Sequence, residues 1–478
     1  MHVETPQSLC HVGLARCDVT PDVGTYHRMW GAATHDRSTG VHRPLTATAL
    51  VLKSSAVATG QEELAIVDID HCLLWASEME DMLRSVCEQT GLAREQVLFA
   101  FTHTHGAGLM DRTRRHLPGG DKIGPYLERT AKQVADVIQN ARCQMQEAVL
   151  TYGVGHCDLA AQRDLPDPES NQIVCGYNPA EFADDTVTLV RITDRAGKKL
   201  ATVVNYACHP TTLAWENTRI SPDYVGALRE TVEQATGARC VFLQGASGDL
   251  GPKEGFVGDT AVADRNGRRL GWAVLSALEA LPPPLTRFRY RGPVVSGATL
   301  GPWDHVPLDE KDVASKRRWQ HRRLKFDLPY RPDLPTIEQA RSQREHWLAE
   351  EENARAAGDS LKARDAHAMV ERQDRLLTRL ASLVPGPTFP FPVTLLRLGD
   401  AFWVFVEGEH YQMLQCRLRE RFPGVPIVVN TLSNGSRCFY VVPREAYGKG
   451  IYQEAVAMLA PGTLESLIES IGNAIAES

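Results

Sequence analysis

No stretch of these 478 residues is apolar for long enough to cross a bilayer, and neither an internal repeat nor a low-complexity tract is present. Basic residues form no stripe. Lys and Arg total 52 against 59 Asp and Glu, a net charge of −7, so the footprint of a nucleic-acid binder is missing. The short basic runs Lys316-Arg317-Arg318 and Arg322-Arg323-Leu324-Lys325 read as the solvated part of a helical insert. The eleven cysteines show neither metal-knuckle nor disulfide-framework spacing. Cys72, Cys208 and Cys240 lie in apolar, strand-like segments, where a free cysteine acts as a small buried hydrophobe. The opening MHVETPQSLC lacks a basic region followed by an apolar one, so no secretory signal is expected and a reduced, cytoplasmic setting fits.

What is present is the composition of an ordinary globular protein, 43% apolar and 23% charged. The length is more than one core usually organises, which predicts two or three packed subregions. Strand-like segments (46–53, 63–70, 96–101, 187–192, 200–207, 240–243) alternate with helix-like ones near 78–88 and 126–140. The turn Asp194-Arg195-Ala196-Gly197 signals a hairpin. Ser221-Pro222-Asp223 reads as a helix start with Ser as N-cap. The alternation predicts an α/β fold, a layered domain with a mixed β-sheet flanked by helices. Residues 303–392 differ in texture: charged, helix-prone, broken at Ala357-Gly358-Asp359 and closed by Pro385, Pro387, Pro390 and Pro392. Ile337, Trp347 and Leu348, with Met369, Leu376, Leu380 and Leu383, predict an inserted helical hairpin, serving as a lid or as the contact of a homo-oligomer. The main domain is then 1–302 with 393–478, and Gly399-Asp400 joins two strands of it as a tight hairpin.

His103 and His105 form an H-x-H pair where a strand ends, and the strand period of two lets both imidazoles project from one face. Neutral imidazole is the commonest protein metal ligand. A metallo-β-lactamase-type site requires Asp two residues after the second His, where Ala107 stands. An amidohydrolase barrel opens with its H-x-H strand, whereas strands precede this one. His209, before Pro210, and Glu409, after an apolar strand, also stand at strand ends, each open to a structural or a ligating reading.

The ordered runs THTHGAG (102–108), NYACHPT (205–211), ISPDYVGALRE (220–230), FLQGASGDLGP (242–252), VEGE (406–409) and YVVPREAY (440–447) resemble the catalytic domain of the neutral, non-lysosomal ceramidase family. So does the opening run 29–52. The resemblance covers nearly the whole chain except the helical insert. It implies a Zn²⁺ site held by His103, His209, Glu409 and Tyr440, with His105 beside the metal and Arg163 near the substrate. Two features depart from that family. Gly251 stands where its GDVSP run carries a serine, and the immunoglobulin-like domain that follows the catalytic domain in the family is not seen.

Zinc with an open position activates water near neutral pH and polarises a carbonyl, which permits amide hydrolysis without a serine. His105, Tyr440 and Asp249 are the catalytic candidates, and Arg163 and Ser247 the substrate-binding ones. Asp223 reads as a helix cap or as a partner of His209. The expected function is therefore zinc-dependent cleavage of an amide (N-acyl) bond in a small-molecule or lipid-like substrate, ceramide or another. Hydrolysis of an ester or other small-molecule bond, or a non-catalytic ligand-binding role, are the alternatives.

Overall fold

A strand buried on both faces reads as a near-continuous apolar run, and Thr46–Lys53 comes close: Ala47, Ala49 and Val51 enter one core while Leu50 and Leu52 enter another. The computed structural model describes residues 1–55 and 63–478. Its main sheet has eight strands: β1 (Gln7–Asp18), β2 (Thr46–Lys53), β3 (Glu63–Ile69), β4 (Val97–Phe101), β5 (Gln146–His156), β6 (Thr186–Thr193), β7 (Lys199–Tyr206) and β8 (Arg239–Gln244). They lie in the order β8-β7-β6-β5-β1-β2-β3-β4, parallel at the two outer pairs and antiparallel between. A second sheet, β9 (Trp319–Pro329), β10 (Thr388–Leu398), β11 (Ala401–Val406) and β12 (Ile427–Asn430), packs across the first through Trp403, Phe405, Leu396 and Val428.

Helices cover the outer faces. On the main sheet lie α1 (Ala76–Thr90), α2 (Ile123–Cys143), α3 (Tyr224–Thr236) and α4 (Thr260–Glu279). The helical hairpin is α5 (Ile337–Ala356) and α6 (Ser360–Ser382), and α7 (Thr463–Ala476) packs on the second sheet. The fold is thus α/β, with a mixed sheet inside helical layers.

Three expectations need correction. Helix α3 is capped by Asp223, not Ser221: the Asp223 carboxylate accepts the Tyr224 N–H, while the Ser221 hydroxyl accepts the Asp223 N–H. Residues 319–329 are a strand, not helical, because Leu324, Phe326 and Leu328 alternate with the charged positions and pack on the second core. The hairpin seam is built of Ala340, Ala354, Ala363, Ala366 and Val370, and Ile337 is exposed. Small side chains let the two helices approach closely.

The eight-stranded sheet curls until its edges meet. The Phe242 N–H of β8 donates to Asp68 Oδ2 of β3 at 3.1 Å, and buried Arg229 of α3 binds Asp68 at 3.3 Å and Asp70 at 2.6 Å. Asn205 joins the two sheets, its Nδ2 donating to the Leu243 and Val429 carbonyls at 2.9 and 2.8 Å. Among the described residues, no helix is long and apolar enough to cross a membrane.

Candidate metal centre

Three side chains leave three different strands just past their C-terminal ends: His103 after β4, His209 after β7 and Glu409 after β11. This is the end of an α/β sheet where ligands bind. In a flat sheet, β4 and β7 would stand roughly 29 Å apart at the usual strand spacing. The curl brings their histidines together. His103 adopts φ 68°, a left-handed conformation that costs a side-chain-bearing residue about 1–3 kcal/mol. Its N–H donates to the His71 carbonyl. Gly408 turns the chain out of β11 at φ 81°, where a Cβ would meet the Phe439 carbonyl oxygen at 2.7 Å. The turn sets Glu409 beside Tyr440 as register partners.

The tautomers follow from the outer contacts. His103 Nδ1 lies 2.8 Å from the Cys72 carbonyl oxygen, and His209 Nδ1 lies 2.8 Å from that of Ser247. A carbonyl only accepts, so each neutral ring keeps its proton on Nδ1 and turns a bare Nε2 inward. The two Nε2 atoms are 2.9 Å apart, and Glu409 Oε2 is 3.2 and 3.1 Å from them. That oxygen has no hydrogen-bond donor. Three buried electron-pair donors therefore converge, which only a cation stabilises. Ligands about 2.0–2.1 Å from a tetrahedral zinc lie about 3.3 Å from one another, close to these edges. The residues fit the metal.

The electrostatics agree. Burial lowers His209 to about 3, aided by Arg163 and His103, so its ring is neutral. Burial opposes ionisation of Glu409, but His103 and His209 outweigh it and hold the carboxyl well below its usual range. His103 runs the other way: burial is outweighed by Cys72 and Glu409, and its pKa stands well above the ordinary value. The trio thus accommodates one positive charge. A second grouping, Cys72 with His103 and His105, would use the Nδ1 edge of His103 that the Cys72 carbonyl already occupies.

Around the trio, Tyr440 Oη lies 3.4 Å from His209 Nε2 and accepts a 2.8 Å hydrogen bond from Arg163. Arg163 is anchored in turn on the Gly248 carbonyl at 2.7 Å. Burial keeps the Tyr440 phenol protonated, well above its usual range despite Arg163. His105 packs 5.0 Å from His103 and 5.1 Å from Trp30, ring to ring, and its Nε2 is buried without a partner. Two sequence candidates are held elsewhere. Asp249 does not reach the trio, since its carboxylate accepts the Gln412 N–H at 2.7 Å and Gln412 Nε2 at 2.9 Å and lines a separate cleft. Ser247 sits behind His209, its hydroxyl accepting from Gln244 at 2.6 Å. Asp223 caps α3 and accepts the Leu213 N–H at 2.9 Å. At Gly251 a Cβ would lie 3.8 Å from Arg163 and 3.9 Å from the Thr211 hydroxyl, so the site has room for a side chain there.

A cavity of about 370 Å³ reaches the trio at His209, within the range of small-molecule sites. Its lining includes His105, Arg163, His209, Thr211 and Tyr440, the apolar Trp30 and Phe256, and Ala368, Arg372, Arg375 and Arg379 of α6. Sequence reading missed these three arginines. Their signal was the i, i+3, i+7 spacing, which puts all three on one helix face.

Residues 10–259 match the family model described as neutral/alkaline non-lysosomal ceramidase, N-terminal. No curated protein sequence matches the chain. Among solved structures, a crystal structure of neutral ceramidase from Pseudomonas aeruginosa is similar at 18% identity and TM-score 0.64, covering 98% of this chain and 74% of that one. A ceramidase complexed with C2 is similar at 17% identity and TM-score 0.65, covering 99% and 76%. At these identities the likeness is one of fold.

Proposed function

Because the chain belongs to the neutral/alkaline non-lysosomal ceramidase family, we propose that it is a zinc-dependent hydrolase that cleaves the amide bond of an N-acyl substrate, ceramide or a smaller compound. The observation that carries this reading is the meeting of two inward-facing imidazole nitrogens and a carboxylate oxygen within 3.2 Å. His103, His209 and Glu409 hold the metal, with Tyr440 as the fourth, looser ligand. Zinc bound there supplies a Lewis acid and a water that is nucleophilic near neutral pH.

The chain's own groups do the rest. Arg163 fixes Tyr440, so the phenol can donate a hydrogen bond to the oxygen on which negative charge develops. His105, the cavity imidazole with a free Nε2, is held neutral by burial and by His103 and His209, which keep its pKa well below the ordinary value. It takes the proton released by the attacking water and passes it to the leaving nitrogen. Trp30 and Phe256 exclude water beside it, and α6 closes the cavity as a lid. The Cys72 and Ser247 carbonyls keep the ligating rings in the tautomer that binds metal. Ser247, expected to bind substrate, thus serves as support for His209, and Asp249, expected to be catalytic, holds Gln412 instead. A cytoplasmic setting suits the eleven cysteines, all of them free thiols.

The test is elemental analysis of wild type and Glu409→Ala, followed by hydrolysis of an N-acyl panel that includes ceramide. Stoichiometric zinc in the wild type, its loss in the variant and acyl release are expected. A wild type that cannot be loaded with metal would overturn the reading.

A further inference from the structure

Helix α6 turns Arg372, Arg375 and Arg379 toward the cavity above the metal centre. Arg375 is engaged. It donates to the Met29 carbonyl and lies 3.9 Å from Glu371, whose carboxylate is bound by Arg114 at 2.9 Å. Arg379 is different. It is only 4% exposed, and its guanidinium stands 4.3 Å from the Phe439 ring centre. It makes neither a side-chain hydrogen bond nor an ion pair with any described residue, and its Nε is buried without a partner. Burial lowers its pKa to about 10, so it remains charged at neutral pH. Glu409 and Tyr440 act on it electrostatically, but the Glu409 charge already serves the metal trio.

Buried charges in proteins are paired. Arg379 touches no counter-charge among the described residues, and it lines the cavity. Arg372, half-buried on the same helix face, also lacks a partner among the described residues. Trp30 and Phe256, packed edge to face, add an apolar patch to the same lining. The cavity therefore offers an apolar patch to an acyl chain and a cationic one to an anion.

We propose that the substrate of this site carries a carboxylate near its scissile amide, as an N-acyl amino acid does, and that Arg379 binds that carboxylate with Arg372 beside it. This rests on the amidase reading above. The planar guanidinium fork matches a carboxylate in two parallel hydrogen bonds, and the cavity of about 370 Å³ takes a short or medium acyl chain.

The experiment compares N-hexanoylglycine with neutral N-hexanoylethanolamine on the zinc-loaded enzyme. It measures kcat/KM for each and, by calorimetry, the binding of N-hexanoylglycine. Wild type should prefer the carboxylate, and Arg379→Met should lower the ratio of the two kcat/KM values about 10- to 100-fold. Arg379→Lys should restore part of it. Equal turnover of both compounds, with a ratio that Arg379→Met does not move, would overturn the carboxylate assignment and leave the amidase reading standing. Turnover of neither compound, with N-hexanoylglycine binding that weakens in Arg379→Met, would uphold the anion site and count against the amidase. If Arg379→Met does not fold, Arg372→Gln decides: a lowered ratio supports the assignment and an unchanged one overturns it.

Discussion

Replacing His209 with Ala removes one of three converging donors and leaves the other two facing each other across a space sized for an ion. The expected result is loss of bound metal with the fold retained, read by elemental analysis beside circular dichroism. Full metal occupancy in the variant would remove His209 from the ligand set. His105→Ala should keep the metal and lower kcat by about 10²–10⁴, the usual worth of a positioned proton carrier, and an unchanged rate would exclude His105. Asp249 gives a pH test away from the metal. Burial raises its pKa to about 7, against an ordinary value of 3.8. Because the folded value is the higher, its contribution to stability is complete below about pH 4 and is lost as pH rises through 7. Wild type should therefore lose about 1–4 kcal/mol relative to Asp249→Asn between pH 4 and pH 8.5, measured by denaturant unfolding. A constant difference would count against a raised pKa. At this scale the sequence was partly legible. His103, His209 and Glu409 stand at strand ends that the apolar pattern marks, whereas Tyr440 came forward only through the family resemblance. That Ser247 would act through its carbonyl, and Asp249 through Gln412, depends on contacts across the fold that no local pattern encodes.

At the scale of elements, the strands of the main sheet that sequence reading missed were the central ones, β1 and β5. Their apolar runs are interrupted by glycine, and the structure gives the reason. At Gly13 of β1 an added Cβ would lie 1.9 Å from the Ala141 carbonyl oxygen of α2. At Gly155 of β5 it would lie 2.9 Å from the Ala277 side chain of α4. These glycines are where helices press on the sheet, so the residue type that weakens a strand signal is the one the packing requires. Gly13→Ala should destabilise the protein by about 1–3 kcal/mol, because a backbone carbonyl must move. Thermal unfolding would read the change, and zinc content should stay at the wild-type level. An unshifted midpoint would mean that α2 yields freely there. Strand β9 was missed for a related reason. Its inward Leu324, Phe326 and Leu328 alternate with Arg323, Lys325 and Asp327, and a charged run hides a period of two. The strands the pattern did reveal, such as β2 and β7, are buried on both faces and read as largely apolar segments.

At the scale of the whole molecule, the proposed metal ligands are the end points of a closure. His103 follows one edge strand of the eight-stranded sheet, His209 follows the strand next to the other edge, and Glu409 arrives from the second sheet. An ion bound to all three ties both edges of the first sheet to the second, across more than three hundred residues of chain. Such an ion binds the folded state and finds no preformed trio in the unfolded chain, so its binding energy adds to stability. At a thousandfold excess over its dissociation constant the gain is about 4 kcal/mol. Chelation should therefore lower the thermal midpoint of wild type and added zinc should restore it, whereas Glu409→Ala, already lacking a ligand, should respond to neither. The Arg229 bridge to Asp68 and Asp70 closes the same sheet without a metal, so the chelated protein should stay folded, with only its margin reduced. Collapse on chelation would mean that the metal, rather than this buried ion-pair network, holds the curl closed. An unmoved midpoint, with metal demonstrably removed, would mean that the trio is fully organised by its carbonyl contacts and that the ion serves chemistry alone.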